Sequence, residues 1–243
     1  MPKTKYDRIY RDLKTKIEAG DYEYQELLPS ESSLINEYDC SRNTVRRAIA
    51  ALVRDGYVQT MQGKGVRNIY RPLAQASFTL GTIESFRESA ARNHQESSTK
   101  VVCFAELTAD AKIARKTGFA AGSELYYLQR VHYLDGKALI LNHNYFLKSA
   151  VPGLTKEIAE NSIYAYLEHT LHMTIVNSIR IMTVEKITEI DEKYLEVNQN
   201  EYNCLAVVSS HTYNSDGVMF EFTQSRHRPD YFRFQDNAVR RRF

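Results

Sequence analysis

The feature that most constrains this chain is a change of hydrophobic period close to residue 56. Before it, three stretches carry apolar residues at helical spacing; after it, two short runs alternate like strands. Tyr6, Ile9, Tyr10, Leu13 and Ile17 lie on one helical face, and Gly20 stops the run. A loop ends at Leu28-Pro29, Ser30 is placed to cap a second helix, and Glu31 sits in its first turn, where the helix dipole favours an acid. Leu34, Ile35 and Tyr38 give that short helix its apolar face. Asp39-Cys40 makes a turn, and Ser41 caps a third helix whose buried stripe is Val45, Ala48, Ile49 and Leu52. Beyond Gly56, residues 57–61 and 66–70 alternate around Gln62-Gly63-Lys64-Gly65, a glycine-rich hairpin tip. Three helices followed by such a hairpin predict a winged helix-turn-helix.

Charge supports that reading. The whole chain of 243 residues carries a formal charge of only +2. Residues 41–71, however, hold seven basic residues (Arg42, Arg46, Arg47, Arg54, Lys64, Arg67, Arg71) against Asp55 alone, so 7 − 1 = +6. A near-neutral chain with one concentrated basic segment is built to meet a polyanion at one place. Arg42, Asn43, Thr44, Arg46 and Arg47 cluster at the start of the third helix. There arginine can pair with guanine edges, asparagine with adenine, and the threonine methyl with thymine. Any one of these side chains is equally at home on a solvated helix face. Helix order, capping serines, basic helix start and wing tip agree only on DNA. Gly63-Lys64-Gly65 lacks the strand-to-helix setting of a nucleotide loop, so a nucleotide site is excluded.

Other classes are set aside. The N-terminus is charged and leads into no apolar segment, so no signal peptide is expected, and no stretch of about 18 apolar residues predicts a membrane span. Cys40, Cys103 and Cys204 are odd in number and far apart, which argues against a disulfide framework or a zinc site. The expectation is a cytoplasmic protein without metal or cofactor.

Residues 71–77 read as a linker, separating a DNA-binding domain at 1–70 from a second domain at 78–243. In the second, strands are expected at 101–107, 125–134, 139–146, 183–190, 204–213 and 218–228, and helices at 83–93, 109–117, 162–171 and 190–195. Asp135-Gly136 and Asp216-Gly217 are hairpin turn signals. The fold class is α+β around a mostly antiparallel sheet.

The run Pro29-Ser30-Glu31-Ser32-Ser33-Leu34, then Ser41-Arg42-Asn43-Thr44-Val45-Arg46-Arg47-Ala48, then Leu52-Val53-Arg54-Asp55-Gly56-Tyr57 and Gln62-Gly63-Lys64-Gly65 resembles the GntR family of bacterial regulators. The resemblance places DNA contacts on Glu31, Ser32, Ser41, Arg42, Asn43, Thr44 and Arg46, and on Gln62, Gly63 and Lys64 at the wing. Arg47 is left at most a phosphate contact. Leu128 to Gly136, then Asn161-Ser162-Ile163-Tyr164-Ala165-Tyr166-Leu167, then Asp230-Tyr231-Phe232-Arg233-Phe234 resemble the HutC subgroup. Its effector domain, called UTRA, has a chorismate-lyase-like fold.

That resemblance implies a homodimer on a double-stranded operator, gated by a phosphorylated sugar. Its effector residues map onto Ser85, Arg130, His132, Ser162, Tyr164 and Glu221. Phe222 to Phe234, with Gly153 to Ile158, further resembles regulators of trehalose operons, which implies a repressor released by trehalose 6-phosphate. Two departures bear on the ligand. Relatives that bind amino-sugar phosphates such as glucosamine 6-phosphate carry Arg-x-Arg where this chain has Arg130-Val131-His132, and an acid where it has Asn142. Asparagine suits a hydroxyl rather than an amine, so a neutral sugar is favoured. Arg226 and Arg228 alternate on one strand face with His227 opposite, and are read as surface cations or pocket lining with equal weight. No nucleophile elbow, metal spacing or paired carboxylates support an enzyme, and a lyase-like fold does not by itself imply catalysis. The net charge is too low for a non-specific architectural DNA binder.

Overall fold

The computed structural model describes residues 4–71, 78–79, 83–93, 95–198 and 200–235. The chain divides into two units, one over residues 1–75 with 235–243 and one over 76–234. The expected linker falls almost wholly on residues 72–77, outside the described residues.

In the first unit, α1 (Lys5–Ala19), α2 (Glu31–Tyr38) and α3 (Arg42–Arg54) surround one apolar core, with β1 (Val58–Met61) paired antiparallel to β2 (Gly65–Asn68). Ile9, Leu13 and Ile17 from α1 meet Leu34 from α2 and Val45, Ala48, Ile49 and Leu52 from α3. Each fully buried Leu or Ile contributes about 1.5–3 kcal/mol relative to exposure. Gly20 ends α1 at φ +88°, and its N–H and that of Asp21 satisfy the Ile17 and Lys16 carbonyls. Ser30 and Ser41 cap as their sequence positions require, accepting from the Ser33 and Thr44 amides.

The second unit is a six-stranded antiparallel sheet of β4 (Ser97–Thr108), β5 (Glu124–Leu134), β6 (Lys137–Leu147), β7 (Ile175–Lys186), β8 (Cys204–Asn214) and β9 (Met219–His227), in the order β4-β5-β6-β9-β8-β7. The two-residue strands β3 (Phe78–Thr79) and β10 (Phe234–Gln235) lie outside this sheet. Side chains alternate between its faces. On one face Tyr126 and Leu128 of β5 pack with Phe146, beneath Ala159 of α6 (Lys156–Glu160), Ile163 of α7 (Ile163–Ala165) and Leu167 of a π-helical turn at Tyr166–Thr170. On the other, Leu125 packs under α5 (Ala111–Thr117) and Val131 under α8 (Glu189–Leu195). At the end of β5, Leu134 and Ile140 pack against Phe86 and Ala90 of α4 (Phe86–Arg92).

Several local expectations are corrected. The strand expected at 183–190 runs from Ile175 to Lys186, and its last residues belong to α8 instead. Thr188 and Asp191 form a capping box there, which ends the strand by starting a helix. The helix expected at 83–93 begins at Phe86, because Ser85 caps it through a box with Glu88. The helix expected at 162–171 is a single α turn running into the π turn, and α6 has no counterpart among the expected helices. Arg226 is no surface cation: it is buried, with Nε 2.7 Å from Asp191 and Nη1 2.6 Å from Glu185.

Candidate DNA surface and effector cavity

Burying the apolar stripe of α3 turns its polar face outward. The Arg42 and Arg46 side chains are 73% and 66% exposed. Asn43 and Ser41 are exposed beside them, and Thr44 is half-buried, with its hydroxyl 2.9 Å from the Ser41 hydroxyl. Glu31, at the start of α2, stands 3.9 Å from Arg42 and 4.0 Å from Arg46, too far and too solvated to neutralise either. Ser32 is exposed on the same turn, its hydroxyl 2.8 Å from that of Ser30. Gln62, Gly63 and Lys64 are exposed at the tip of the β1–β2 hairpin, where Gly63 has φ +72°. Arg47 faces elsewhere, with its guanidinium stacked 4.2 Å above the Tyr6 ring.

The second unit holds a cavity of about 500 Å³. Its floor is the sheet face of Arg130 and His132 on β5, Asn142 and Asn144 on β6, and Glu221, Thr223 and His227 on β9. Ser85 and Phe86 at the start of α4 and Ser162 and Tyr164 around α7 complete the wall. All six residues expected to meet the effector therefore line one cavity: Ser85, Arg130, His132, Ser162, Tyr164 and Glu221. Register explains how distant segments converge. Arg130 pairs with Asn142, which pairs with Ser225, placing successive strands side by side on the same face.

The polar groups of this floor form two networks. In the first, Arg130 Nε donates to Asn144 Oδ1 at 2.9 Å. Asn144 Nδ2 donates to Thr223 Oγ1 at 2.6 Å and to Glu221 Oε1 at 3.4 Å. Thr223 donates to Glu221 Oε1 at 2.7 Å, and the Tyr164 hydroxyl donates to Glu221 Oε2 at 2.9 Å. Among the described residues no carboxylate comes within ion-pair distance of Arg130, and its Nη groups make no hydrogen bond to the protein. Burial pulls the Arg130 pKa down, against the pull of nearby Glu221, and burial together with Glu221 pushes Tyr164 well above the ordinary phenol value.

In the second network Asn142 Nδ2 donates to His132 Nε2 at 2.9 Å, which leaves the proton on Nδ1 to donate to Thr99 Oγ1 at 2.8 Å. His132 is 2% exposed, and burial, with the charge of Arg130, holds its pKa well below the usual imidazole range. Phe86 packs on the ring at 4.4 Å between centroids. Asn142 Oδ1 is buried without a partner. His227, also neutral, has its pKa pushed down to about 3 by burial. The described floor thus carries one cation, Arg130, and one carboxylate, Glu221, among neutral donors and acceptors, and Arg87 and Arg180 also line the cavity.

Ser85 and Ser162 spend their side-chain oxygens as helix caps, accepting from Glu88 N and Ala165 N, while their hydroxyl protons stay available. Asn144, Thr223 and Thr99 belong to the cavity floor but were not among the expected site residues. A signal for the first was present: Asn142 and Asn144 alternate in the middle of an otherwise apolar run, Leu139-Ile140-Leu141-Asn142-His143-Asn144-Tyr145-Phe146.

Comparison with known proteins agrees with both halves. Residues 5–67 match the family model for bacterial regulatory proteins of the gntR family, and residues 92–233 match the UTRA domain. The chain is 35% identical over 240 residues to the HTH-type transcriptional regulator TreR of Bacillus subtilis, covering 99% of each. It is 26% identical over 236 residues to the mannosyl-D-glycerate transport/metabolism system repressor MngR of Escherichia coli, covering 97% of this chain and 96% of that one. Its fold is similar to the crystal structure of YydK from B. subtilis, with TM-score 0.81 at 21% identity over 97% of this chain and all of the other. It is also similar to the effector-binding domain of the B. subtilis trehalose repressor, with TM-score 0.53 at 33% identity, over 60% of this chain and 99% of that one.

Proposed function

The chain belongs to the GntR family of bacterial transcription regulators and carries a UTRA domain, and on that premise we propose that it is a dimeric repressor of a sugar-utilisation operon, released from DNA by a sugar phosphate. Its family makes it a regulator rather than an enzyme. The observation that carries the effector reading is the half-buried Arg130 guanidinium, which lines the cavity with no carboxylate within ion-pair distance among the described residues and with its Nη groups free of hydrogen bonds to the protein. A partly desolvated cation in that state favours an anion, and a phosphate takes two parallel N–H bonds from the Nη groups.

Ser85, Ser162 and Tyr164 would supply further contacts, and the unpartnered Asn142 Oδ1, a neutral amide held in place by His132, suits a sugar hydroxyl where a carboxylate would favour an amine. The floor around Glu221 completes the pocket. Trehalose 6-phosphate fits this chemistry, and the likeness to a trehalose repressor supports it. The DNA would be read by Arg42, Asn43, Thr44 and Arg46 at the start of α3, with Ser41, Glu31 and Ser32 beside them and Gln62, Gly63 and Lys64 at the wing. One such head reads a half-site, so two copies on a palindromic operator are the arrangement proposed. The proposed domains are 1–70 and 78–243, joined by the segment 71–77, in a cytoplasmic protein. Among the described residues no helix is long and apolar enough to cross a membrane.

The test is a gel shift on DNA upstream of the neighbouring genes, with and without trehalose 6-phosphate and glucosamine 6-phosphate. Release by the first and not the second is expected. If neither releases the DNA, the effector reading fails while DNA binding stands.

A further inference from the structure

The sugar-phosphate reading places the anion on Arg130 without saying what holds that guanidinium in place. Glu221 is 4% exposed, and both of its oxygens already accept hydrogen bonds from the protein, Oε1 from Thr223 and Asn144 and Oε2 from Tyr164. We infer that Glu221 is a positioning residue, which acts on the effector's anion through Thr223, Asn144 and Arg130 rather than by touching the effector; this rests on the sugar-phosphate reading of the cavity.

The protons set the order of this chain. A carboxylate only accepts, so the single Thr223 hydroxyl proton points at Oε1, 2.7 Å away. That leaves a Thr223 lone pair for a donor, and Asn144 Nδ2 fills it at 2.6 Å. With its NH₂ fixed there, the Asn144 amide must turn Oδ1 to the other side, where it accepts from Arg130 Nε at 2.9 Å. The order of donors along the chain is thus set by the negative charge at its end. The interposed neutral amide matters equally. It anchors Nε while keeping the carboxylate out of ion-pair reach, so the Nη groups are oriented but not consumed. A carboxylate at position 144 would pair with the guanidinium and compete with the effector's phosphate.

Glu221→Gln is the isosteric disruption, because an amide has one acceptor oxygen where three donors now converge. Thr223→Val breaks the same relay at its middle and leaves Glu221 intact. In ligand-free full-length protein, the Arg130 Nε–H signal in ¹⁵N-edited NMR, assigned by its loss in Arg130→Lys, is expected to exchange with solvent at least ten-fold faster in Glu221→Gln, Thr223→Val and Asn144→Ala. Calorimetry is expected to show at least ten-fold weaker binding of trehalose 6-phosphate for each, with Glu221→Gln/Asn144→Ala no weaker than the worse single variant. An Nε–H signal unmoved in Glu221→Gln and Thr223→Val overturns the inference. So do additive losses in the double variant, which would mean that Glu221 contacts the effector itself. If wild-type protein binds neither trehalose 6-phosphate, glucosamine 6-phosphate nor inorganic phosphate, the effector reading falls, while the exchange rates still decide whether Glu221 holds Arg130.

Discussion

Replacing Arg130 by Met should uncouple the effector from the protein while leaving DNA binding intact. Methionine fills much of the same volume but offers the phosphate no donor. Two charge-assisted hydrogen bonds from the Nη groups, each about 1.5–3 kcal/mol, are lost, or roughly 3–5 kcal/mol together allowing for non-additivity. That is at least about a 100-fold weaker complex. Thermal unfolding reads the difference directly. At 100 times its dissociation constant a ligand stabilises the native state by about 2.7 kcal/mol; if binding is 100-fold weaker the same concentration contributes only about 0.4 kcal/mol. For a domain of this size the first corresponds to a Tm rise of about 5–11 °C and the second to about 1–2 °C. The assay is a melt of full-length wild type and Arg130→Met with saturating trehalose 6-phosphate, alongside a gel shift. The variant should bind the operator and stay bound when ligand is added. A wild-type-sized Tm rise in Arg130→Met would refute the assignment of the anion to this guanidinium.

Other predictions are independent of that one. Arg46→Ala, at a side chain with no close ion pair, should weaken specific operator binding by about 1–3 kcal/mol without changing effector affinity; unchanged operator affinity in a titration would count against α3 as the reading helix. Asp191→Ala strips buried Arg226 of its 2.7 Å partner and opens the α8 capping box, so urea unfolding of the C-terminal unit should lose about 3–5 kcal/mol. A loss below about 1 kcal/mol would show that Glu185 carries the guanidinium by itself. His132 and His227 are buried with pKa values below the unfolded value, so the unfolded chain binds the extra protons. Stability should therefore be whole above about pH 6.5 and fall as the pH drops toward the folded pKa, about 3 for His227, by up to about 1.4 kcal/mol per pH unit for each histidine. His227→Gln should flatten that slope between pH 7 and 5, and a slope that does not change would rule out His227 as a contributor.

The DNA-reading half was legible in the chain because its determinants are local. Ser30 and Ser41 cap α2 and α3 through amides three residues further on, Gly20 and the glycines of the wing set their own turns, and the stripe Val45, Ala48, Ile49, Leu52 dictates which face of α3 is left exposed. The cavity was legible only as a set of residue types carried by resemblance. Its geometry depends on strand order and register, which bring residue 130 beside 142 and 144 beside 223, pairings with no short-range signature. Arg226 shows the same limit: strand alternation put it opposite His227, but only the packing of α8 supplied Asp191 and buried it. Local chemistry alone thus decided that this chain exposes a basic start of α3. Tertiary structure decided that Arg130 has no carboxylate at ion-pair distance among the described residues while Arg226 is paired with Asp191 and Glu185, because long-range pairing determines where carboxylates stand around a charge.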